Sequence, residues 1–328
     1  MRIPMGHVVA PSGKILLVDA GLLDLWSHDR TPVLPDGILA TDEETARANR
    51  SVDVELVGAG AEAVAEVMQR GHPRFMYDIS EDRIEAIRGE VTRIAAKLDV
   101  EAGVRIHTPR IPHRRRFDDA LVQGAGPLFF HGITAVAFEV KTAARLEVWG
   151  ERMDDEPERW KRVGLSVRDQ PVQFHDDCAT VAVDRARLMF IDVDALAGWK
   201  HTESIDGLAD FVFWGLEAAE VAREHGAPSL GDDQFGWENL LLDLALERGE
   251  RIELAQAAGR RMATDFRPHS HHWELMRQVR ASPTQSGIVQ LGDAVACGFM
   301  TSWGDGFFPV VRELSAPEEV VAMRVEFA

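Results

Sequence analysis

The chain has few cysteines and no long apolar run. Among its 328 residues there are only two cysteines, Cys178 and Cys297, and they form no Cys-x-x-Cys pair. This excludes a zinc ribbon and a thioredoxin-like motif, and we expect two reduced, buried thiols. No stretch approaches eighteen apolar residues, which predicts that no helix spans a membrane. The N-terminus shows no signal peptide pattern, so we expect a cytoplasmic protein.

Basic residues are also scarce relative to acidic ones. Lys and Arg number 36 against 54 Asp and Glu, which gives a formal net charge of −18. A field of this sign repels phosphate, so we expect no binding to nucleic acid or to an anionic membrane surface. Hydrophobic residues make up 45% of the chain and charged residues 27%, which is typical of a globular protein. The expected partner is a protein or a small anionic ligand, and the oligomeric state is left open.

The hydrophobic pattern divides the chain into three parts. Residues 1–32 are typical of a β-hairpin, and residues 132–328 consist mainly of strand patterns. Between them, residues 33–131 alternate strands with helices, which predicts a small α/β unit with some parallel pairing. The predicted fold class is α+β: a β-rich scaffold formed by the hairpin and the C-terminal half, with the α/β unit inserted.

Three helices are predicted from periodicity and end signals. Residues 81–98 carry an apolar stripe at helical spacing. Residues 207–225 are expected to form a second helix that ends at Gly226, because glycine favours the left-handed conformation found there. A third helix is expected from about residue 235, with Trp237 on its buried face.

A histidine cluster follows Pro268. Three of the twelve histidines, His269, His271 and His272, fall within four positions. Proline favours an extended chain, in which His269 and His271 would point to the same side. With Asp265 as an oxygen ligand, these imidazoles could hold zinc or iron.

The spacing of this cluster matches no established metal motif. The alternative is a set of surface histidines beside a tryptophan at the entrance of a strand. If a metal is bound, the sequence predicts a metal-dependent hydrolase in which Glu274 is the general base.

Residues 105–116 contain five arginines and no acidic residue. Guanidinium groups bind phosphate and carboxylate in a bidentate manner, which suggests a site for a small anionic ligand. The alternative is that these arginines pair with the protein's own surplus of carboxylates. The residues assigned to the anion site are Arg110, Arg114, Arg115 and Arg116.

Residues 58–63 fit the pattern Gly-x-Gly-x-x-Ala between a predicted strand and a helix, and Asp78 follows 20 residues after Gly58. This arrangement is typical of a dinucleotide site formed by Gly58, Gly60 and Asp78, with the acid on a ribose hydroxyl. Against it, the following helix is short, and Glu62 would place a negative charge where the pyrophosphate should lie.

A glycine-framed turn lies near the C-terminus, in Ser302-Trp303-Gly304-Asp305-Gly306-Phe307-Phe308-Pro309. Gly304 and Gly306 allow positive φ on both sides of Asp305, whose carboxylate can bind turn amides. We expect a structural role for Asp305, and a catalytic role is the alternative.

This segment resembles the Gly-Trp-Gly-Asp-Gly-x-Tyr-Pro segment of a bacterial family of uncharacterised proteins, domain of unknown function four-two-four-one. The family also has an early Pro-Ser-Gly-Lys hairpin and a central strand that ends in aspartate. Residues 11–15 with Asp19, and Phe190-Ile191-Asp192, are similar to these features. The resemblance covers the first 30 residues and most of 132–328.

The chain departs from the family pattern in three respects. Ala20 stands where proline is usual, Phe308 replaces a tyrosine, and residues 33–131 look like an insertion. The resemblance implies a shared fold and no particular activity. Three hypotheses follow: a ligand- or partner-binding protein, for example one in defence or toxin immunity; a metal-dependent hydrolase; and a nucleotide-cofactor protein.

Overall fold

The computed structural model describes residues 1–36, 40–68, 74–123, 125–140, 144–316 and 319–328. The strands have these bounds: β1 Ile3–Val9, β2 Lys14–Asp19, β3 Val52–Val57, β4 Phe75–Ile79, β5 Gly103–His107, β6 Ala125–Phe130, β7 Ile133–Glu139, β8 Arg145–Arg152, β9 Trp160–Ser166, β10 Phe174–Val183, β11 Arg187–Asp192, β12 Leu208–Trp214, β13 Ser229–Gly231, β14 Gln234–Leu241, β15 Ala263–Pro268, β16 Ser286–Leu291, β17 Ala294–Met300, β18 Gly306–Ala316 and β19 Glu319–Glu326.

The helices have these bounds: α1 Asp42–Asn49, α2 Ala61–Val67, α3 Ile84–Leu98, α4 His113–Ala120, α5 Ala218–His225, α6 Leu242–Ala257 and α7 His271–Ala281. Short 3₁₀ helices lie at Ala20–Leu25, Glu81–Arg83, Leu121–Gln123 and Ala195–Gly198. The prediction of a β-rich α+β fold is confirmed, since strands account for 41% and helices for 28%. Among the described residues, no helix is both long enough and apolar enough to cross a lipid bilayer.

The chain forms two compact units, one of residues 1–197 and 286–328 and the other of residues 198–285. The predicted boundaries near residues 33 and 131 fall inside the first unit. The predicted third part, residues 132–328, contains the whole second unit.

A twelve-stranded sheet forms most of the first unit. Its order is β10-β18-β19-β9-β8-β1-β17-β11-β2-β7-β6, with β16 also paired to β17. Every pairing is antiparallel, and β10 contacts β6 and β7, so the sheet nearly closes on itself. Its core contains Phe138, Trp160, Phe190 and Phe299. Both cysteines are free; Cys297 is buried in this core and Cys178 packs at its margin.

Two aspartates in the segments that resemble the family, Asp19 and Asp192, hydrogen-bond to loops beside this sheet. The Asp19 carboxylate accepts hydrogen bonds from the backbone amides of Gly21, Asp184 and Arg185 at 2.7–2.8 Å. Asp192 accepts from the amide and the hydroxyl of Ser12, each at 2.9 Å. These carboxylates satisfy loop amides, which is a structural role.

Asp305 has the same kind of role, because its Oδ1 accepts from the Ala186 amide at 2.8 Å. Positive φ occurs at Ser302 and Gly304, whereas Gly306 begins β18. The predicted positive φ is therefore found at Gly304 but not at Gly306, and Ser302 has one instead. No part of this geometry assigns Asp305 a catalytic role.

A second sheet of the first unit has the order β4-β3-β5. The prediction of parallel pairing here is wrong, since β3 runs antiparallel to both neighbours. Helices α2 and α3 cover one face, where Val54 and Leu56 pack with Ile87 and Val91. The predicted helix over residues 81–98 is present as a 3₁₀ turn followed by α3.

The second unit contains an antiparallel sheet of order β13-β14-β12-β15. Helices α5 and α6 pack on it through a core that includes Phe211, Phe213, Val221 and Ile252. The predicted helix over residues 207–225 is correct only at its C-terminal end, because residues 208–214 form β12. The helix predicted from about residue 235 begins later, since β14 extends to Leu241.

Candidate functional site

The histidine cluster does not form the predicted metal site. The extended chain of β15 ends at Pro268, and the Ser270 hydroxyl caps α7 by accepting from the Trp273 amide at 3.1 Å. His271 and His272 therefore lie in the first turn of a helix and not along an extended strand. A capping serine starts a helix because its oxygen satisfies an otherwise unpaired amide.

Each side chain assigned to the metal has a partner of its own. The His271 Nδ1 accepts from the Lys200 amide at 2.9 Å, and the His272 ring stacks on His201 with centroids 4.2 Å apart. Asp265 pairs with an arginine two residues along its strand. In the part of the chain that the structure describes, no group of three or more His, Cys, Asp or Glu could hold a metal ion. The predicted zinc or iron site is therefore not formed.

His269 lies instead between two carboxylates. Its Nδ1 is 3.0 Å from Asp206 Oδ2 and its Nε2 is 3.0 Å from Asp210 Oδ1. The His269 residue is only 3% exposed, and its ring stacks on Trp273 at 3.8 Å. Ionised carboxylates can only accept hydrogen bonds, so both ring nitrogens must carry protons when both acids are charged. This geometry fits an imidazolium held by two charge-assisted hydrogen bonds.

The two carboxylates are fixed by further donors. Asp210 accepts from the Asn239 amide at 2.8 Å and from the Trp273 indole at 3.0 Å. Asp206 accepts from the Leu208 amide at 2.9 Å. Burial tends to raise the pKa of Asp206, but the hydrogen bonds from His269 and Leu208 hold it below its ordinary value. Asp206 therefore stays ionised at neutral pH.

A β-bulge shapes the backbone beside this network. Between two regular pairs of β12 and β14, Asp210 alone lies opposite Glu238 and Asn239. Asn239 has φ of +56°, a left-handed conformation that asparagine tolerates better than most residues. Bulges commonly redirect groups beside functional sites. Here the bulge directs the Asn239 amide to Asp210 and places Glu238 at the rim of a cleft.

The cleft has a volume of about 510 Å³. It is lined by Ile205, Asp206, Asp210, Glu238, Asn239, His269, Trp273, Glu274 and Arg277. Besides His269, the lining carries four carboxyl groups and one guanidinium, so acidic groups predominate. The guanidinium of Arg277 lies over the Trp273 ring, 5.2 Å from its centroid.

The sequence predicted only two of these residues, His269 and Glu274, as site residues. His272 and Asp265 line a separate hollow of about 210 Å³. Asp206 and Asp210 were missed, because Asp206 lies in the bend before β12 and only the fold brings both carboxylates to His269.

The arginine segment of the first unit pairs mainly with the protein's own acids. Arg116 is completely buried; it lies 3.1 Å from Asp53 and 2.9 Å from Asp78. Arg110 lies 2.8 Å from Asp78, and Arg114 lies 2.9 Å from an aspartate after β11. The predicted anion site is therefore not formed by Arg110, Arg114 and Arg116, because internal carboxylates occupy them.

Asp78 is equally unsuited to hold a ribose. Burial would raise its pKa, but the guanidiniums of Arg116 and Arg110 hold the pKa far below its ordinary value. Its Oδ2 also accepts from the His131 amide at 3.0 Å. The carboxylate thus belongs to a buried network inside the first unit.

The glycines of the predicted dinucleotide site face the protein itself. A Cβ on Gly58 would lie 2.6 Å from the carbonyl oxygen of Glu101, and one on Gly60 would lie 2.4 Å from Val100. Glycine is needed at both positions for close packing of the chain after α3. Together with the antiparallel sheet, this packing leaves no dinucleotide fingerprint at Gly58, Gly60 and Asp78.

Comparison of the chain with protein-family models, with curated proteins and with solved structures finds no match. The membership of domain of unknown function four-two-four-one stays a prediction.

Proposed function

We propose that this protein binds a small organic cation in the cleft of the second unit. The observation that carries this proposal is the position of His269 between Asp206 and Asp210, with each ring nitrogen 3.0 Å from a carboxylate oxygen. No imidazole nitrogen remains to accept a proton, attack a substrate or coordinate a metal. The network therefore serves to fix the charges of the cleft.

The charge of the cleft selects a positive ligand. The Asp206 side chain is 46% exposed, so lone pairs of its carboxylate face the solvent. Glu238 and Glu274 add two more acceptors around the same space. At an effective dielectric constant of 20, two opposite charges 4 Å apart attract by roughly 4 kcal/mol before desolvation is counted. The net charge of −18 on the chain adds long-range attraction for cations.

The size and the aromatic ring of the cleft favour an amine or a guanidine. Its volume of about 510 Å³ suits a small molecule. The Trp273 ring binds the Arg277 guanidinium on its face, so a ligand cation can take this position by replacing Arg277.

Isothermal titration calorimetry with agmatine and spermidine at low salt tests the proposal. We expect saturable binding that Asp206→Asn weakens at least ~10-fold, since one charged contact contributes about 1.4 kcal/mol or more. Asparagine keeps an oxygen that accepts from His269, so the fold of the cleft is retained.

Glu250→Gln is the matched control, because it removes the same charge from an exposed position on α6. This variant should bind within about twofold of the wild type. Equal weakening by the two variants would show only non-specific attraction, and the absence of binding by both cations would refute the proposal.

A further inference from the structure

The three-stranded sheet of the first unit has two chemically different faces. Val54 and Leu56 of β3 point to the apolar face, under α2 and α3. On the opposite face, Glu55 pairs across the strands with Phe75 on one side and with Arg105 on the other. Side chains that are directly opposite in a sheet lie about 5 Å apart, so these three form one row.

A cleft of about 650 Å³ lies on this polar face. Its lining includes Glu55, Phe75, Arg105, Arg110, Arg115 and Asp119. Arg105 and Arg115 pair with Glu55 and Asp119 of this lining, and Arg110 pairs with Asp78 behind it. The Phe75 ring stacks on Tyr77 at 5.7 Å, which fixes one apolar wall.

Two ion pairs of this cleft can open at low cost. Arg105 lies 3.0 Å from Glu55, and Arg115 lies 3.2 Å from Asp119. The two arginine side chains are 61% and 70% exposed, whereas the two carboxylates are each 13% exposed. An exposed arginine that leaves its carboxylate is hydrated again, so a ligand cation can replace it there.

Asp119 also has an acceptor that the protein leaves unused. Its Oδ2 is buried and has no hydrogen-bond partner among the described residues. Buried polar atoms are normally paired, because an unpaired one costs roughly 1–3 kcal/mol. A ligand ammonium that replaces Arg115 at the other oxygen, Oδ1, would keep this carboxylate paired with a cation.

We propose that this cleft binds a small zwitterion with an apolar arm, of the size of an amino acid or a dipeptide. The ligand carboxylate pairs with Arg115, the ligand ammonium pairs with Asp119, and the apolar arm packs on the Phe75 ring. This exchange keeps every charge paired, whereas a ligand of one charge would leave a carboxylate or a guanidinium unpaired. The proposal concerns the first unit and does not depend on the cation site of the second.

The back of the cleft is rigid. Arg110, which lines it, is buried and donates both to Asp78 and to the Pro32 carbonyl. Arg116 ties the same Asp78 to Asp53 of β3. A site that is already ordered loses little conformational entropy when a ligand binds.

Calorimetry with L-phenylalanine and leucyl-leucine tests the proposal. We expect at least one of them to bind at least ~10-fold more tightly than its N-acetyl derivative, a pure anion, and its amide, a pure cation. The amides are measured in the Asp206→Asn variant, so that binding in the second unit is not counted. Equal binding of either singly charged derivative, or no binding by both zwitterions, would overturn the proposal.

Two variants locate the site. Arg115→Gln and Asp119→Asn should each weaken zwitterion binding at least ~10-fold. The matched control is Arg93→Gln, at an exposed position on α3, which should leave binding unchanged. Both Arg115 and Arg93 are exposed, so the melting temperatures of these variants should stay close to that of the wild type. Equal affinities of the Arg115 and Arg93 variants would place the ligand elsewhere.

Discussion

Each of the two units holds a basic side chain between two aspartates, but in only one of them is one of these two aspartates itself well exposed. In the first unit, Arg116 joins Asp53 to Asp78, and both Arg116 and Asp53 are completely buried. In the second unit, His269 is held in the same manner, yet one of its aspartates, Asp206, is half exposed at a cleft. A basic side chain between two aspartates is therefore buried in the first unit, whereas in the second unit the same arrangement exposes one aspartate at the surface of a cleft.

The chemistry of the cation explains the difference. A guanidinium has five donors and is always charged, and Arg116 also donates to the carbonyls of Ile111 and Phe129. It satisfies the buried acids without help from solvent. An imidazolium has only two donors, so it leaves carboxylate lone pairs unfilled, and those of Asp206 face solvent or a ligand.

The largest expected effect comes from removing the buried guanidinium. Arg116→Leu leaves Asp53 and Asp78 charged and without their main partner, which should cost about 3–5 kcal/mol of unfolding free energy. Urea unfolding followed by circular dichroism measures this cost. Arg93→Leu, at an exposed position, should change it by less than about 0.5 kcal/mol. A loss of unfolding free energy below about 1 kcal/mol for Arg116→Leu would mean that solvent reaches this network. The two networks would then not differ in their access to solvent.

Acid should weaken the first unit through histidines beside the same network. Burial lowers the pKa of His131 to about 4; Asp78 opposes this shift, and Arg110 and Arg116 add to it. Burial and Arg116 also lower the pKa of His113 well below its usual value. In the unfolded chain these histidines take up protons near pH 6.5. In the folded unit His131 stays neutral down to about pH 4, and the lowered pKa of His113 acts in the same direction. The unfolding free energy should therefore decrease as the pH falls through this window and be unaffected by these groups above it.

The expected slope is about 1.4 kcal/mol per pH unit for each histidine, or about 2 kcal/mol for His131 between pH 6.5 and 5. His131→Asn removes this contribution, and asparagine suits the left-handed φ of +47° at that position. Urea unfolding at the two pH values should show a smaller loss in this variant than in the wild type. His225→Asn, at an exposed position on α5, is the control and should keep the full loss.

Local pattern was enough to predict some elements of both units and misleading for others. Helix α3 was predictable because its apolar residues recur at 3.6-residue spacing on one stripe. Strand β12 was predicted as helix because five consecutive residues, 209–213, are buried, and such a run has no period of two. The strand arrangement around β3 was also missed, since alternation alone does not distinguish parallel from antiparallel neighbours.

The sites were less predictable than the fold because their contacts span the sequence. His269 and Asp206 are 63 residues apart, and Arg116 and Asp53 are also 63 apart. The metal prediction relied on three neighbouring histidines in an extended chain. Ser270 instead caps α7, so His271 and His272 lie in a helix while His269 precedes it. Charge balance gave better guidance: the excess of acids indicated that the arginines would pair internally, and most of them do.

The smallest expected effect, and the sharpest test of the comparison, comes from His269→Phe. Phenylalanine keeps the stack on Trp273 but removes both donors, so Asp210 loses a buried partner while Asp206 can be hydrated. We expect a cost of about 1–2 kcal/mol in the unfolding of the second unit. The hydrogen bond that lowers the pKa of Asp206 is lost as well, so nuclear magnetic resonance titration should show this pKa rising towards its ordinary value. Two results together would contradict the comparison: a loss of unfolding free energy equal to that of Arg116→Leu, and an unchanged pKa of Asp206. They would show that the exposure of Asp206 does not make the second network different from the first.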